Sequence, residues 1–481
     1  MLRLNSLAIL VVAPAMALLP VPSFAMTRIV PDQFPTIQSA MAASASLGDT
    51  VLVRPGTYLE AVNYLGKDIV LKSIGGPEVT TIDASGRGSA AVYLQSVGSG
   101  ARLQGFTIKK GSGSVNGPFA GGGGVHSSDA EGEGPIIEGN WITDNSAYWG
   151  GGVLAHGPVR VLRNRITYNS AFREGGGLWV TASDVGTLTQ VISENEVFAN
   201  RTAGGTNQTG GGLSVGSFCR TIITRNIVAC NESNVGGGCW ISGSSSGRVF
   251  EGNTIFANWG RAGVGGVHLH LRDSPLEFIN NAVAFNLGGG IECYDLHGIG
   301  MVSECNDLFG NNPDIVGDEC GEVIGVNGNI REDPEFGAVA GCPPAVGDLC
   351  LASGSPLLPE NSPPGCGLIG ARGLCGPIGI AEETHAPGVN ASTLAAFPNP
   401  FAERTTLVID VRGERVEHTV RILDARGRVV GERMLGELST GPHRWVWDGH
   451  DDRGRVLPVG VYFAQVRAGR RELHTRVMIL R

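Results

Sequence analysis

The chain has 481 residues, 74 of them Gly, with 17% charged residues and a formal net charge of −9. Glycine at about twice its usual ~7% share implies many tight turns, and charge below the usual ~25% leaves few solvated helical faces. No cluster of Lys and Arg is available to neutralise phosphates, which argues against a nucleic-acid partner.

In chain order, residues 1–25 combine Arg3, an apolar run from Leu7 to Leu19 and the small-x-small site Ser23-Phe24-Ala25. They read as a secretory signal peptide. No later segment approaches the ~18 uninterrupted apolar residues of a membrane helix, so no transmembrane segment is expected after signal removal. Residues 26–50 read as an N-terminal cap, with Ile37, Ala40, Met41 and Ser44 spaced for a short helix that ends near Gly48. The strand "DTVLVRPGTY" follows.

A repeat fills most of the region 51–310. Seven times the chain carries Asn, any residue, an aliphatic residue, any two residues and Asn, beginning at Asn140, Asn164, Asn195, Asn226, Asn253, Asn281 and Asn306. Six of the seven copies run on into a glycine run and a short apolar strand. Starts are 24 to 31 residues apart, a period that marks a stacked solenoid. Apolar residues lie three before the first Asn (Ile137, Val161, Ile192, Ile223, Phe250, Phe278, with Ser303 the exception) and two after it (Ile142, Ile166, Val197, Val228, Ile255, Val283, Leu308). Their separation is odd, so both point inward only if the chain bends at the Asn, which tolerates the left-handed conformation. Stacked amides would then bond from coil to coil. Glycine runs such as Gly175 to Gly177 mark the other bend.

All ten Cys follow residue 218. In an exported chain they read as disulfides, for which neighbour pairing such as Cys305 with Cys320 is one guess and a zinc cluster the competing reading. Residues 311–375 read as a last coil and Cys-rich cap, and 376–396, with Pro377 and Pro387, as a linker. From Phe397 to the end, short alternating strands separated by Gly and Asp turns read as a small antiparallel sandwich. Asp448, Asp451 and Asp452 lack EF-hand spacing and read as an acidic hairpin turn rather than a calcium loop.

Two resemblances follow from particular segments. "TIQSAMAASASLGDTVLVRPGTYLEAV", "GPEVTTIDASG" and "LQGFTI" resemble the start of bacterial right-handed parallel β-helix proteins related to pectin-active enzymes. That implies a three-faced right-handed coil with a polysaccharide cleft on one face. "PNPF", "LDARGR" and "WDGHDDRGRVLPVGVYFAQV" resemble the immunoglobulin-like C-terminal modules of flagellar hook-capping (FlgD-like) proteins and type IX secretion sorting domains. Those families imply export or attachment at the cell surface, with export machinery or cell envelope as a partner, and a secreted or outer-surface location.

Candidate chemistry comes from strand parity. Outward positions after each glycine run give His126, Leu154, Trp179, Ser214, Trp240, His268 and Glu292, and two residues further on Ser128, His156, Thr181, Gly216, Ser242, His270 and Tyr294. His126, His156, Trp179, Trp240, His268, His270 and Tyr294 form the candidate polysaccharide-binding face. The plainer alternative is that these side chains only decorate a β-surface that favours aromatics. His268, His270 and Glu292 could offer metal ligands. Arg261, Arg272, Asp273 and Glu292 could serve a polysaccharide lyase, with an Arg base and an acid holding calcium; the sequence implies no other cofactor. The polygalacturonase "NTD", "GHG" and "RIK", the pectin-methylesterase "QDTL" and the pectate-lyase "WIDH" segments are absent. Asp129, Glu131, Glu133, Asp144 and Glu174 read as solvated loop acids. The expectation is a polysaccharide-binding β-helix, with a lyase or glycoside hydrolase and a non-catalytic adhesion protein as alternatives.

Overall fold

The computed structural model describes residues 25–45, 47–113, 121–182, 189–205, 208–217, 220–243, 246–271, 275–294, 301–337, 349–375, 393–397, 404–411, 417–424, 428–439, 441–458, 460–468 and 471–479. The segment read as a signal peptide lies outside them but for Ala25. The chain divides into two compact units, Met1–Arg331 and Glu332–Arg481.

The first unit is a parallel β-solenoid. Among the described residues its coils run through three long sheets of eleven, ten and ten strands and a short one of five. One coil passes through Val159–Leu162 in the first sheet, Arg165–Thr167 in the second, Ser170–Glu174 in the short fourth and Leu178–Ala182 in the third. Thr189–Ser193 then returns to the first sheet. Each strand lies in register on its counterpart in the next coil, Val161 beside Ile192 and Ile166 beside Val197. The apolar residues flanking each first Asn are buried in one continuous core, where Phe250 and Phe278 stack at 5.2 Å.

The coil has four strands where three were expected. Between the second Asn and the glycine run, segments such as Ser146–Trp149, Ser170–Glu174 and Arg201–Thr202 pair with one another. They are short and show no alternation of buried residues, so nothing in the sequence period announces them.

Both asparagines of the repeat make ladders. Asn200 shows the pattern: its backbone N–H and Nδ2 donate to Asn231 Oδ1 at 2.9 and 3.0 Å, and Nδ2 also donates to the Ile166 carbonyl at 2.8 Å. Its own Oδ1 accepts from the backbone N–H and Nδ2 of Asn169. The side chain must be donor and acceptor at once, and an amide is both.

The left-handed residue is not the Asn but the one before it. Gly139, Arg163, Glu194, Arg225, Gly252, Asn280 and Cys305 precede the first asparagines and Asp144, Tyr168, Ala199, Cys230, Ala257, Phe285 and Gly310 the second, all at φ between 49° and 66°. The cause is local. Nδ2 of Asn145, Asn164, Asn195, Asn226 and Asn306 donates to the carbonyl two residues upstream and closes a tight turn around the intervening residue.

Both ends of the solenoid are closed. The helix Ile37–Ala43 begins in a Thr36/Ser39 capping box and buries Ile37, Ala40 and Met41, while the strand Thr27–Val30 covers the edge of Leu47–Val53. At the far end the first ladder gains a further rung, Asn329, whose Oδ1 accepts from the N–H and Nδ2 of Asn306. Asp314 ends the second ladder by accepting from Asn311. A carboxylate has nothing to donate onward, and Asp314 pairs instead with Arg331 at 2.7 Å. Cys320 is bonded to Cys293, not to Cys305 as guessed, and Cys350 is bonded to Cys375. Cys293 ends the strand Ile291–Cys293, so its disulfide ties a late coil to the segment that leads to the last rung, Asn329.

In the second unit a three-stranded antiparallel sheet (Thr393–Phe397, Thr405–Val411, Gly441–Trp447) and a four-stranded one (Val429–Glu437, Glu417–Asp424, Gly460–Ala468, Arg471–Ile479) share a core of Leu407, Ile409, Val420, Ile422, Trp447, Val466 and Val477. Residues 393–396 of the strand Thr393–Phe397 fall in the segment read as a linker; the strand pairs with Thr405–Val411. In the acidic turn, Asp451 accepts from the backbone N–H of Arg453 and Arg455, and Asp452 from that of Glu432. These carboxylates hold the turn.

Candidate aromatic groove

The register places the first outward column in one line. His126, Leu154, Trp179, Ser214, Trp240, His268 and Glu292 are successive partners in the third sheet, with Tyr93 before them and Val316 after. The second column likewise aligns His156, Thr181, Gly216, Ser242 and His270. Trp179 and Trp240 are thus two coils apart, roughly 10 Å at the usual strand spacing.

A second wall faces the first column across the glycine bend. It runs Gly121, Trp149, Glu174, Thr209, Val235, each bridged to the next. Gly175 explains how closely the walls approach. It has φ 63°, and a Cβ there would lie 2.7 Å from Trp179 Cβ and 2.5 Å from the Leu178 carbonyl oxygen. Only glycine turns the chain this sharply without filling the corner.

The corner gathers a cluster that the strand-parity argument missed. Trp149 stacks on Trp179 with centroids 5.5 Å apart, Tyr148 packs edge-on to Trp149 at 4.4 Å, and Phe172 stacks on Tyr148 at 5.2 Å. Four rings therefore run continuously from the fourth sheet to the third. Glu174 is not a solvated loop acid. It ends the strand Ser170–Glu174, accepts from Ser214 Oγ at 3.4 Å and lies against the Trp179 indole. Burial pushes its carboxyl above the ordinary glutamate range, against the opposing pull of Ser214, the Trp179 N–H and Arg173. Ser214 and Leu154, read as outward, are fully buried because this corner is concave. The usable signal was the residue immediately before each glycine run, which supplies the second wall.

Towards the C-terminal end of the column, Trp240 stacks on His268 at 6.4 Å and 3°, and His268 Nδ1 meets Glu292 Oε2 at 2.8 Å. Exposed Tyr294 packs against His268 and, edge-on, against His270. Among the described residues no group of three or more His, Cys, Asp and Glu is placed to hold a metal ion. At the other end His126 Nδ1 meets the Gly121 carbonyl at 2.9 Å, and burial pushes its imidazole down. His156 is half-buried at the end of Val153–His156.

Of the four residues offered for a lyase, Arg261 and Glu292 are engaged by other partners. Arg261 faces Glu232 at 3.4 Å, donates to the Thr202 carbonyl at 2.8 Å and bonds Gln208, while Glu292 is engaged by His268. Arg261 follows the fourth-sheet strand Trp259–Gly260, so its side chain reaches back along that sheet. Arg272 and Asp273 lie outside the described residues.

Residues 401–472 match the FlgD Ig-like domain family, and the chain carries such a domain behind its solenoid. The solved structure of dimeric latent PorU from Porphyromonas gingivalis is similar at 20% identity over 20% of this chain, with a TM-score of 0.17; the match spans 10% of the PorU chain. No curated protein matches the chain.

Proposed function

We propose that the chain is an exported or cell-surface protein whose solenoid binds extracellular polysaccharide along the aromatic groove and whose FlgD Ig-like domain serves export or attachment. One observation carries the reading: Trp179, Trp240 and His268 lie in one aligned column, faced by Trp149 stacked on Trp179. Aromatic faces pack on the apolar faces of sugar rings while the polar rim bonds hydroxyls, and the aligned coils repeat that surface along an extended polymer. The disulfides Cys293–Cys320 and Cys350–Cys375 agree with an oxidising, extracytoplasmic location.

The test is retention of the full chain on immobilised polysaccharides, comparing wild type with the Trp179→Ala, Trp240→Ala double variant. Loss of at least about tenfold in affinity, roughly 1.4 kcal/mol, is expected. Equal retention of both proteins removes the groove. New reducing ends or unsaturated products in the same incubations would replace binding with turnover, and neither retention nor product would leave a purely structural surface protein.

A further inference from the structure

The charge of the groove narrows what it can hold. Among the described residues of its two facing columns the ionisable groups are Glu174, Glu292, His126 and His268, and no Lys or Arg is present. A basic side chain acting on Glu174 is Arg173, its neighbour on the strand Ser170–Glu174 and outside both columns. His268 is committed to Glu292. A polyuronate laid here would bring a carboxylate on each residue against two carboxyls, with no Lys or Arg in either column to receive it, and like charges at such range repel strongly in a partly desolvated groove.

We propose, on the reading of the groove as a glycan site, that its ligand is an uncharged polysaccharide and that Glu174 is the residue that discriminates against uronic acids. The geometry fits both halves of that statement. The stack of Phe172, Tyr148, Trp149 and Trp179 offers apolar ring surface on one side of the corner. Glu174 stands where that stack meets the third sheet, braced by Ser214, so a sugar seated on Trp179 presents its hydroxyls to a carboxyl. Neutral hydroxyls bond a carboxyl in either protonation state, donating to the ionised form and also accepting from the protonated one. The carboxylate of a uronate, an acceptor only, bonds only the protonated form.

Affinity electrophoresis of the full chain tests this with four probes: mixed-linkage β-glucan and galactomannan as neutral polymers, polygalacturonate and alginate as polyuronates. At neutral pH and low salt a neutral polymer is expected to retard wild type at least about tenfold more effectively than either polyuronate. Raising ionic strength from about 0.05 to about 0.5 M should narrow that gap, because salt screens repulsion and leaves ring stacking largely intact. Glu174→Gln, which keeps the shape and one acceptor oxygen but removes the charge, should narrow it at least about threefold at low salt. Stronger retardation by a polyuronate overturns the proposal while the groove stands as a glycan site. A gap untouched by both salt and Glu174→Gln overturns the role of Glu174. No retardation by any of the four overturns the proposal together with the reading it rests on.

Discussion

At the scale of single residues, one amide performs two tasks. The ladder asparagines pass hydrogen bonds from coil to coil, and Asn145, Asn164, Asn195, Asn226 and Asn306 also close their own turns, so the strained left-handed residue sits beside the amide and can be Arg, Glu, Tyr, Ala or Cys. A non-glycine residue in that conformation costs on the order of 1 kcal/mol, offset by the several bonds that the neighbouring amide makes. That division of labour was not legible: the sequence displays the invariant Asn, while the residue that bends is variable. Asn200→Asp tests it. A carboxylate still accepts from Asn169 but cannot donate to Asn231 Oδ1 or the Ile166 carbonyl, and it sets like acceptors face to face in a buried site. A loss of about 3 kcal/mol is expected by denaturant titration at neutral pH, and a midpoint equal to wild type would show that the ladder contributes nothing beyond what an acceptor supplies. Glu174 gives a second measurable. Its carboxyl is held above the range it has in the unfolded chain, chiefly by burial. Between the two values the folded state binds the extra proton, so this group's contribution to stability is full below the unfolded pKa and is lost as pH rises through the folded one. Glu174→Gln should flatten that part of the curve of Tm against pH above about 4, the ordinary carboxylate range. Parallel curves for the two proteins would place Glu174 in solvent.

At the scale of elements, strands with buried apolar pairs were readable and strands without them were not. Ile192 announces its sheet through period-2 burial, whereas Arg201–Thr202 and Glu232–Ser233 have two residues each and no period to read. They were missed for that reason, and with them the second wall of the groove. Trp149 went unplaced and Glu174 was read as a loop acid because Ser146–Trp149 and Ser170–Glu174 carry no alternation of buried residues, although the opposing Trp179 and Trp240 were found by counting from the glycine run. Chain ends posed a related difficulty. Asn329 is a ladder rung with Arg331 two residues on, where every earlier first Asn has an aliphatic residue, so a pattern that includes the core partner passes over it. Function of the fourth sheet follows from its placement: it converts an outer β-surface, on which aromatics would stand apart, into a corner where they stack.

At the scale of the whole molecule, the division of labour is between a stack whose stability is shared from coil to coil and a small sandwich with its own core. In a solenoid each coil contacts only its neighbours, so cooperativity propagates along the stack and stops where stacking stops. The ladders end at Asn329 and Asp314, and Arg331 closes the second of them by pairing with Asp314. The Cys293–Cys320 disulfide falls before that point and Cys350–Cys375 after it. The two units have separate hydrophobic clusters, one from Val30 to Val323 and one from Leu407 to Ile479. A chain severed between Arg331 and Glu332 should therefore yield two pieces that unfold separately, each with a midpoint within about 5 °C of its own transition in the intact protein, a shift corresponding to roughly 1 kcal/mol for small domains. Glycan retention should travel with the piece that carries Trp149, Glu174, Trp179 and Trp240. Calorimetry of the intact chain supplies the comparison: a single transition, with neither piece folding alone, would mean that the sandwich completes the solenoid. Retention by the piece beginning at Glu332 would move the binding surface out of the groove and onto the Ig-like domain.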